Sequence, residues 1–547
     1  MTEYDAQCYI TITNSHVAAY SGPIWCGWVS VVQKGSCVLT SISLSLRDLL
    51  GEEYIDAVVR ARHALTGTPV ADLVALADEQ VEFWPEDVAG RSRDLAERTG
   101  TNLVAGLAHP ADGAGTQAFQ RAQNHAAAPI GGLGACRIGQ DGRIYLAAKS
   151  EHYQASLGHG FPGYRLIDLA RRLGIPNATH NNTRGQVTRL AEEALVAAAA
   201  PGLAPAADGT PGPHALTRVI NLETGSLAAE AALKLMLNRF YSADGGEAAL
   251  AGRTPVFLVM ADAVGGPAAN YHGTTVAAQL LRGLWPELLR RLDAAGIVRV
   301  VPVPPNDSRA FLEALLRYNA GDYAVAGFCH EIVLMNYGGL RLEEDYLREV
   351  YAACHQAGVP VFCDEIQSGA WYGELFLFRR YGLRPDLVAV GKGFPGGEYP
   401  ASKILVTAEL DALSQFGALV TNGQEELASL AYLVTMTFVS ANAAHIEDVG
   451  AYLQHRLREL VTSFPVLAGV TGDGLMAGLQ FHEGAVAVEF CGRLEREHGI
   501  DTSVQAYKPS APPVALMKLP VITEVEIVDV LIDRMERVLS TLDEVAR

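Results

Sequence analysis

An acid and a lysine stand at the ends of two short apolar segments in the middle of this sequence. Val361 to Cys363 runs directly into Asp364, and Leu387 to Val390 is followed by Gly391 and Lys392. Apolar runs of this length predict buried parallel strands. In open α/β sheets, ligands bind beyond the carboxyl ends of the strands. We therefore expect Asp364 and Lys392 to face one pocket.

This pair of residue types suits one kind of cofactor chemistry. A carboxylate can hold a pyridinium nitrogen and a lysine can form a Schiff base, which is what pyridoxal phosphate needs. Taken alone, Asp364 is better explained as a strand-end acid or a helix N-cap, and Lys392 as a solvated loop lysine. Their occurrence together with the motifs below favours the cofactor interpretation.

Three motifs around the pair carry a resemblance: Asp364-Glu365-Ile366-Gln367-Ser368-Gly369, Pro385-Asp386 and Gly391-Lys392-Gly393. This stretch resembles the signature of class III (ω-amino acid) aminotransferases, of the aspartate aminotransferase fold type. The resemblance implies an α/β protein of fold type I, with a mostly parallel seven-stranded sheet flanked by helices and a small α+β domain. An extra N-terminal α+β segment would precede this fold here.

The resemblance also implies a role for each residue at the expected pocket. Asp364 would bind the pyridine nitrogen and Lys392 would carry the Schiff base, so these two are the predicted catalytic residues. Ile366 would pack on the ring, and Gln367 would reach the phenolic oxygen. The predicted cofactor is pyridoxal 5'-phosphate, and no metal is expected.

Other parts of the sequence resemble further cofactor contacts of the family. Gly225 and Ser226 open a predicted helix, where free N–H groups can bind a phosphate. Tyr271 would cover the ring by offset stacking, and Glu331 matches the family's Glu-Pro strand end. Thr421 falls where the family's threonine reaches the phosphate of the neighbouring subunit. The resemblance therefore implies a homodimer with shared active sites.

Substrate recognition departs from the family pattern. Many members pair a glutamate after the strand Glu with an arginine near the C-terminus, but here those positions are Asn336 and Lys518. Loss of the bidentate guanidinium alters carboxylate recognition, which argues against an ordinary ornithine-type or γ-aminobutyrate-type substrate. Arg184 is a candidate carboxylate anchor, and a plain surface arginine explains it equally well.

Composition limits the classes of partner. The chain has 547 residues, of which 49% are hydrophobic, so it can bury a large core. A net charge of −19 and the absence of a long basic run make nucleic acid and anionic membranes poor partners. The eight cysteines form no Cys-x-x-Cys pair, which favours a reducing cytoplasm. No signal peptide or apolar run of roughly 20 residues is visible.

The chain divides into four predicted segments. They are an N-terminal α+β extension of unknown role at 1–110, a linker with the first part of the small domain at 111–165, a large cofactor-binding domain at 166–440, and the rest of the small domain at 441–547. The extension matches nothing in the family pattern. A cover for the core or for the dimer surface is the simplest interpretation of it, and an extra substrate or partner module is the alternative.

Local patterns predict individual elements in and after the extension. Gln7 to Thr13 and Trp28 to Leu46 alternate polar and apolar residues like strands, and Arg47 to Glu82 has helical spacing. Residues 101–135 have the composition of a linker or of surface loops. Phe328 to Leu334 is predicted to be a single strand.

The sequence thus predicts an aminotransferase that uses Lys392 to move an amino group from a small-molecule donor, such as glutamate, to a keto or aldehyde acceptor. The motif drift suggests specialised metabolism. An aminomutase, racemase or decarboxylase of the same fold is the alternative that keeps the cofactor. A non-catalytic scaffold that retains the fold is the alternative of another class, and the presence of Lys392 argues against it.

Overall fold

The structure is a computed structural model that describes residues 39–120, 124–149, 155–177, 183–200, 212–261, 269–418, 420–505 and 511–546. The strand predicted from Gln7 to Thr13 lies outside these residues, as does most of the one predicted from Trp28 to Leu46.

The strands and helices of the described residues alternate through the central part of the chain. The strands are β1 (Ser43–Leu44), β2 (Val81–Glu82), β3 (Pro129–Leu133), β4 (Cys136–Gly139), β5 (Ile144–Ala147), β6 (Leu216–Leu222), β7 (Thr254–Met260), β8 (Arg299–Val303), β9 (Tyr323–His330), β10 (Val333–Leu334), β11 (Leu340–Arg341), β12 (Val361–Asp364), β13 (Leu387–Val390), β14 (Ser402–Thr407), β15 (Leu467–Asp473), β16 (Met476–Phe481), β17 (Ile500–Asp501), β18 (Ser503–Gln505) and β19 (Val514–Lys518). The helices are α1 (Leu46–Leu50), α2 (Glu52–Thr66), α3 (Val70–Ala77), α4 (Glu86–Glu97), α5 (Gln117–Gln120), α6 (Arg165–Leu173), α7 (Gln186–Ala199), α8 (Gly225–Leu237), α9 (Val276–Arg282), α10 (Pro286–Ala294), α11 (Ser308–Tyr318), α12 (Glu344–Gln356), α13 (Leu377–Arg380), α14 (Gln415–Ala418), α15 (Glu426–Ala441), α16 (Ala443–Ser463), α17 (Gly484–His498) and α18 (Val525–Ala546).

A seven-stranded sheet forms the centre of the molecule, in the order β6-β14-β13-β12-β9-β7-β8. The strands from β13 to β8 pair in parallel, whereas β14 pairs antiparallel with both β13 and β6. All strands except β14 therefore run in one direction. The predicted fold class, a mostly parallel sheet of seven strands flanked by helices, is confirmed.

Continuous apolar sequence explains why β12 and β13 lie inside this sheet. Every residue of both strands is buried, as expected for strands that are covered by helices on both faces. Helix α8 packs near them and buries four alanines, which are Ala228, Ala229, Ala231 and Ala232. Such small side chains let a helix approach a sheet closely, so the start of α8 is held near the carboxyl ends of β12 and β13.

Two smaller sheets make up the predicted α+β part. One is antiparallel in the order β15-β16-β19-β18, and the other has the order β17-β5-β4-β3. In the second, β17 pairs in parallel with β5, so that Ile500 lies opposite Leu146. Segments from before and after the central sheet therefore share one small sheet. The four domain boundaries given above stay a prediction.

The helical stretch predicted from Arg47 to Glu82 is broken into three helices, α1 to α3, and ends in the short strand β2. Gly67 ends α2 in a left-handed conformation with a φ of 72°, a common helix C-terminus. The described part of the extension packs on α6 through α1, α2 and α3.

Two predictions of local structure were wrong. The stretch 101–135 is not only linker, because Pro129–Leu133 forms β3 beside β4. The strand predicted from Phe328 to Leu334 is interrupted after His330. Val333 and Leu334 leave the central sheet and pair with Leu340–Arg341 instead.

Length and composition alone allow one bent pair of helices to pass for a membrane span, and no single described helix does so. The pair consists of Glu426–Ala441 and Ala443–Ser463, with an angle of 71° between them.

Candidate functional site

The carboxyl ends of β12 and β13 border a cavity of about 250 Å³. Asp364 is the last residue of β12, and Lys392 follows β13 by two residues. In the parallel register Asp364 lies opposite Ala389, so the two strands end at the same level. Most of the predicted cofactor residues line this cavity: Gly225, Ser226, Tyr271, Glu331, Asp364, Ile366, Gln367 and Lys392.

Asp364 is held by two hydrogen bonds at the bottom of the cavity. The Ile366 backbone N–H donates to Oδ1 at 3.1 Å, and His272 Nδ1 donates to Oδ2 at 2.8 Å. Asn270 Nδ2 lies 3.2 Å from His272 Nε2 and donates to it, which leaves the His272 proton on Nδ1. Asn270 and His272 therefore orient the buried carboxylate, and His272 was not among the residues predicted for the pocket.

Lys392 has an unusual backbone conformation, with a φ of 41°. A non-glycine residue in this left-handed region stores strain of order 1–3 kcal/mol, and such residues cluster at functional sites. The following residue is Gly393, where an added Cβ would overlap the ring of Trp371. The turn thus places Lys392 at the cavity, and it requires a glycine at position 393 because a side chain there would clash with Trp371.

A third ionisable group of the cavity is Glu331, which is buried just after the end of β9. Burial, together with the nearby Asp364 carboxylate, raises the pKa of Glu331 well above its usual range, and the charge of Lys392 opposes this rise. Glu331 is therefore suited to carry a proton at this cavity.

The N-terminus of α8 also borders the cavity. Thr224 is the N-cap, and its hydroxyl accepts a hydrogen bond from the Leu227 N–H at 3.4 Å. Gly225 and Ser226 are the first helical residues, and Ser226 Oγ accepts from the Thr274 N–H at 3.0 Å. The free N–H groups of the first helical turn can bind an anion such as a phosphate.

The space inside the cavity is shaped by Gly225, Ile366 and Tyr271. A Cβ at Gly225 would come within 2.9 Å of the Ile366 side chain, so glycine lets the helix approach Ile366. Tyr271 lines the cavity, and the Arg282 guanidinium lies 5.0 Å from its ring centroid. Ile366 and Tyr271 are therefore available to cover a planar ligand.

Several predicted residues do not line the cavity. Thr421 is exposed. The half-exposed Arg184 is 3.3 Å from Glu192, with which it forms an ion pair. Asn336 is buried and donates a hydrogen bond to the Ala269 carbonyl at 3.1 Å. Neither Arg184 nor Asn336 therefore reaches the cavity in this chain.

Lys518 is also absent from the cavity wall but touches a residue that forms it. Its Nζ lies 3.4 Å from Gln367 Oε1, and Gln367 lines the cavity. The two residues are 151 positions apart in the sequence, so local sequence patterns gave no signal for this contact.

A second aspartate–histidine pair lies at the other end of the same two strands. Asp386, just before β13, accepts hydrogen bonds from the Val361 N–H at 2.8 Å and from His214 Nδ1 at 2.7 Å. The ring of His355 stacks on that of His214 with centroids 3.7 Å apart. The possible ligand atoms of Asp386 and the two histidines lie within 4.8 Å of one another. Stacked rings do not point at a common ion, however, so hydrogen bonding explains this cluster better.

Comparison with known families gives one extended match. The family model described as Aminotransferase class-III matches residues 120–539, which is well over half of the chain. The match begins close to the predicted end of the N-terminal extension and includes every residue that lines the cavity.

Curated relatives match shorter segments. Aminotransferase PigE of a Serratia species is 28% identical over 242 residues, covering 41% of this chain and 27% of that protein. Ornithine aminotransferase of Halalkalibacterium halodurans is 30% identical over 246 residues, covering 42% of this chain and 55% of that protein. The chain spans between 27% and 58% of the length of the curated relatives it matches.

Solved structures share the fold at low sequence identity. A transaminase from the marine bacterium Virgibacillus has a TM-score of 0.62 and 18% identity, covering 80% of this chain and 98% of that one. An ornithine aminotransferase from Toxoplasma gondii has a TM-score of 0.60 and 22% identity, covering 78% and 94%. These likenesses concern the fold.

Proposed function

The chain belongs to the class-III aminotransferase family, and from that premise we propose that it is an aminotransferase that depends on pyridoxal phosphate. It moves an amino group from a small-molecule amino donor to a keto or aldehyde acceptor. The observation that carries the proposal is the single cavity shared by Lys392, Asp364 and the N-terminus of α8. These are an amine, a carboxylate and an anion site, in one space.

The residues present fit pyridoxal phosphate. Asp364 is a buried carboxylate whose oxygens accept hydrogen bonds from His272 and from the Ile366 N–H. A carboxylate oriented in this way suits a cationic ring nitrogen. Gly225 and Ser226 offer backbone N–H groups to the phosphate. A side chain at position 225 would fill the space beside Ile366, where the ring would lie. The cofactor would therefore be held by Asp364, Ile366, Tyr271, Gln367, Glu331, Gly225, Ser226 and Lys392.

Bound pyridoxal phosphate supplies an aldehyde and a ring that accepts electrons. Lys392 would hold the cofactor covalently through Nζ and, as a free amine, would move a proton to and from the substrate carbon. Asp364 balances the positive charge of the ring nitrogen. Lys392 and Asp364 are thus the proposed catalytic residues.

The proposed assembly is a homodimer with shared active sites. Thr421 is exposed on the single chain, and the side chain of Phe416, five residues earlier, is 94% exposed. An aromatic side chain in that state is suited to burial against a second copy. We place Thr421 at the partner's phosphate site. The buried free cysteines, such as Cys329 and Cys363, suit a reducing cytoplasm.

A donor and acceptor screen tests the proposed reaction. Purified protein is incubated with amines and amino acids, with and without 2-oxoglutarate or another keto acid, next to a Lys392→Ala control. We expect amino transfer that requires the second keto acid. We also expect a visible absorbance that borohydride removes, because it reduces the Schiff base and leaves the cofactor permanently attached to Lys392. Turnover of the donor without an acceptor would instead indicate an aminomutase, racemase or decarboxylase.

A binding measurement separates the enzyme from the scaffold alternative. Protein stripped of cofactor is titrated with pyridoxal phosphate, and the absorbance between pH 6 and 9 is recorded. A protein that stays colourless at saturating cofactor would contradict the proposed function. Size-exclusion chromatography with light scattering tests the dimer, and a monomeric enzyme of full activity would contradict shared sites.

A further inference from the structure

Lys518 is buried behind the cavity wall in close contact with two side chains. It is the last residue of β19 and is fully buried. Its Nζ lies 3.5 Å from the ring centroid of Trp371 and 3.4 Å from Gln367 Oε1. Trp371 is held in turn, because its indole N–H donates to the Leu519 carbonyl at 2.9 Å. Strand β19 therefore places the Lys518 amine next to Gln367, a residue that lines the cavity.

Burial of this amine is not explained by an ion pair. Among the described residues, no carboxylate lies within salt-bridge distance of Lys518 Nζ. Burial and the nearby charge of Lys392 lower the pKa of Lys518 well below its usual range, and Glu331 opposes this shift only in part. Burying an amine without a carboxylate costs free energy, so stability alone does not account for a lysine at this position.

The two contacts of Nζ fix the direction of its N–H groups. The face of an indole ring attracts N–H groups of an amine or ammonium, and the amide oxygen of Gln367 accepts another. An amide that turns its oxygen towards Lys518 must turn its Nε2 group away from it. Gln367 lines the cavity, and its Nε2 group carries two N–H donors, so one of them can be turned towards a ligand whatever the other one contacts.

We propose that Lys518 is a positioning residue that holds the Gln367 amide so that its Nε2 donates into the cavity. The inference rests on the proposed function, in which the acceptor of that hydrogen bond is the phenolic oxygen of pyridoxal phosphate. Lys518 acts through Gln367 and touches neither the cofactor nor the substrate. The contact with the Trp371 ring holds Lys518 Nζ beside the Gln367 amide.

The test uses the visible absorbance of the full-length holoenzyme as a function of pH. The midpoint of its absorbance change is measured for the wild type, for Lys518→Met, for Gln367→Met and for the double variant. Loss of the donor leaves more negative charge on the phenolic oxygen. The proton on the nitrogen of the neighbouring Schiff base is then held more tightly. We expect each single variant to raise the midpoint by about one pH unit, the equivalent of one hydrogen bond to a charged group.

Non-additivity distinguishes positioning from a general effect on structure. The double variant is expected to have the same midpoint as Gln367→Met, because Lys518 has no effect once the amide is gone. Lys518→Arg keeps a donor and is expected to keep the wild-type midpoint. Should Lys518→Met fail to fold, Lys518→Leu, which likewise has no side-chain donor, replaces it in the same cycle.

Two outcomes would overturn the inference. One is a wild-type midpoint in a Lys518→Met protein that binds cofactor normally, and the other is a shift that adds in full to that of Gln367→Met. Either result leaves the proposed function intact, because the wild type still binds pyridoxal phosphate. A wild type that binds no cofactor would instead refute the proposed function itself.

Discussion

The two ends of the strand pair β12 and β13 carry nearly the same side-chain arrangement. At the carboxyl end Asp364 accepts hydrogen bonds from His272 Nδ1 and from a backbone N–H, and at the amino end Asp386 accepts from His214 Nδ1 and from a backbone N–H. Both aspartates are buried. An aspartate held by a histidine is therefore not a functional site in itself.

The surroundings distinguish the two ends. Asp364 borders a cavity that also holds a lysine and a helix N-terminus, whereas Asp386 ties the chain before β13 to the first residue of β12. At the carboxyl ends the strands stop and the chain turns away, so space remains for a ligand. At the amino ends the hydrogen bonds join chain segments to each other. We infer that one aspartate serves catalysis and the other stability.

The largest expected effect comes from removing the feature that only one end possesses. Lys392→Ala should lower the rate of amino transfer by about 10⁴-fold or more, because it removes both the covalent anchor and the proton carrier. Its free energy of unfolding without cofactor should change by less than about 1 kcal/mol, since no strand or core contact is lost. Steady-state assays and urea denaturation measure the two quantities. Activity within tenfold of the wild type would break the comparison.

Exchanging each aspartate for asparagine compares the two ends directly. Asp364→Asn should reduce the activity of the folded enzyme by about 10²- to 10³-fold, because a neutral amide no longer balances the ring charge. Asp386→Asn should destabilise the protein by about 1–3 kcal/mol through its buried hydrogen bonds, with kcat within about threefold of the wild type. Each variant is the control for the other. Equal losses of activity in the two variants would contradict the division of roles.

The smallest expected effect is a pH dependence of stability at the amino end. The hydrogen bond to Asp386 raises the pKa of His214 above its ordinary value of 6.5. A raised pKa in the folded state stabilises the protein below pH 6.5, and this contribution is lost as the pH rises through the folded value. The difference in unfolding free energy between the wild type and His214→Asn should therefore shrink above pH 6.5.

The neighbouring histidine does not obscure this measurement. Burial and the charge of His214 lower the pKa of His355 from 6.5. The effect of His355 on stability is therefore confined to pH values below 6.5. Urea denaturation of the wild type and His214→Asn at several pH values from 6.5 to 8.5 isolates the contribution of His214. A difference that grows across this interval would show that Asp386 and His214 do not form the inferred ion pair.

The central sheet was predictable because its strands are short, apolar and buried on both faces. The apolar runs Val361 to Cys363 and Leu387 to Val390 coincide with β12 and β13, except that β12 also includes Asp364. The break after His330 was missed because apolar residues resume at Ile332, directly after His330 and Glu331. Pairing with Leu340–Arg341, rather than hydrophobicity, ends that strand.

The candidate site was predictable where function depends on the end of a strand or the start of a helix. Asp364, Lys392 and Ser226 were found in this way. The contacts that orient them join distant parts of the sequence: His272 reaches Asp364 across 92 residues and Lys518 reaches Gln367 across 151. A single sequence contains no record of such distances. The residues that line the cavity were therefore predictable from the sequence, whereas the residues that orient their side chains were not.

The pairing of Leu146 with Ile500 has a consequence for synthesis of the protein. Strand β5 cannot complete its sheet until the ribosome has made Ile500, so the side of β5 that β17 covers stays unpaired during most of translation. Unpaired strand edges invite association with other chains. A nascent chain that stops before Ile500 should thus need chaperones more than the finished protein does.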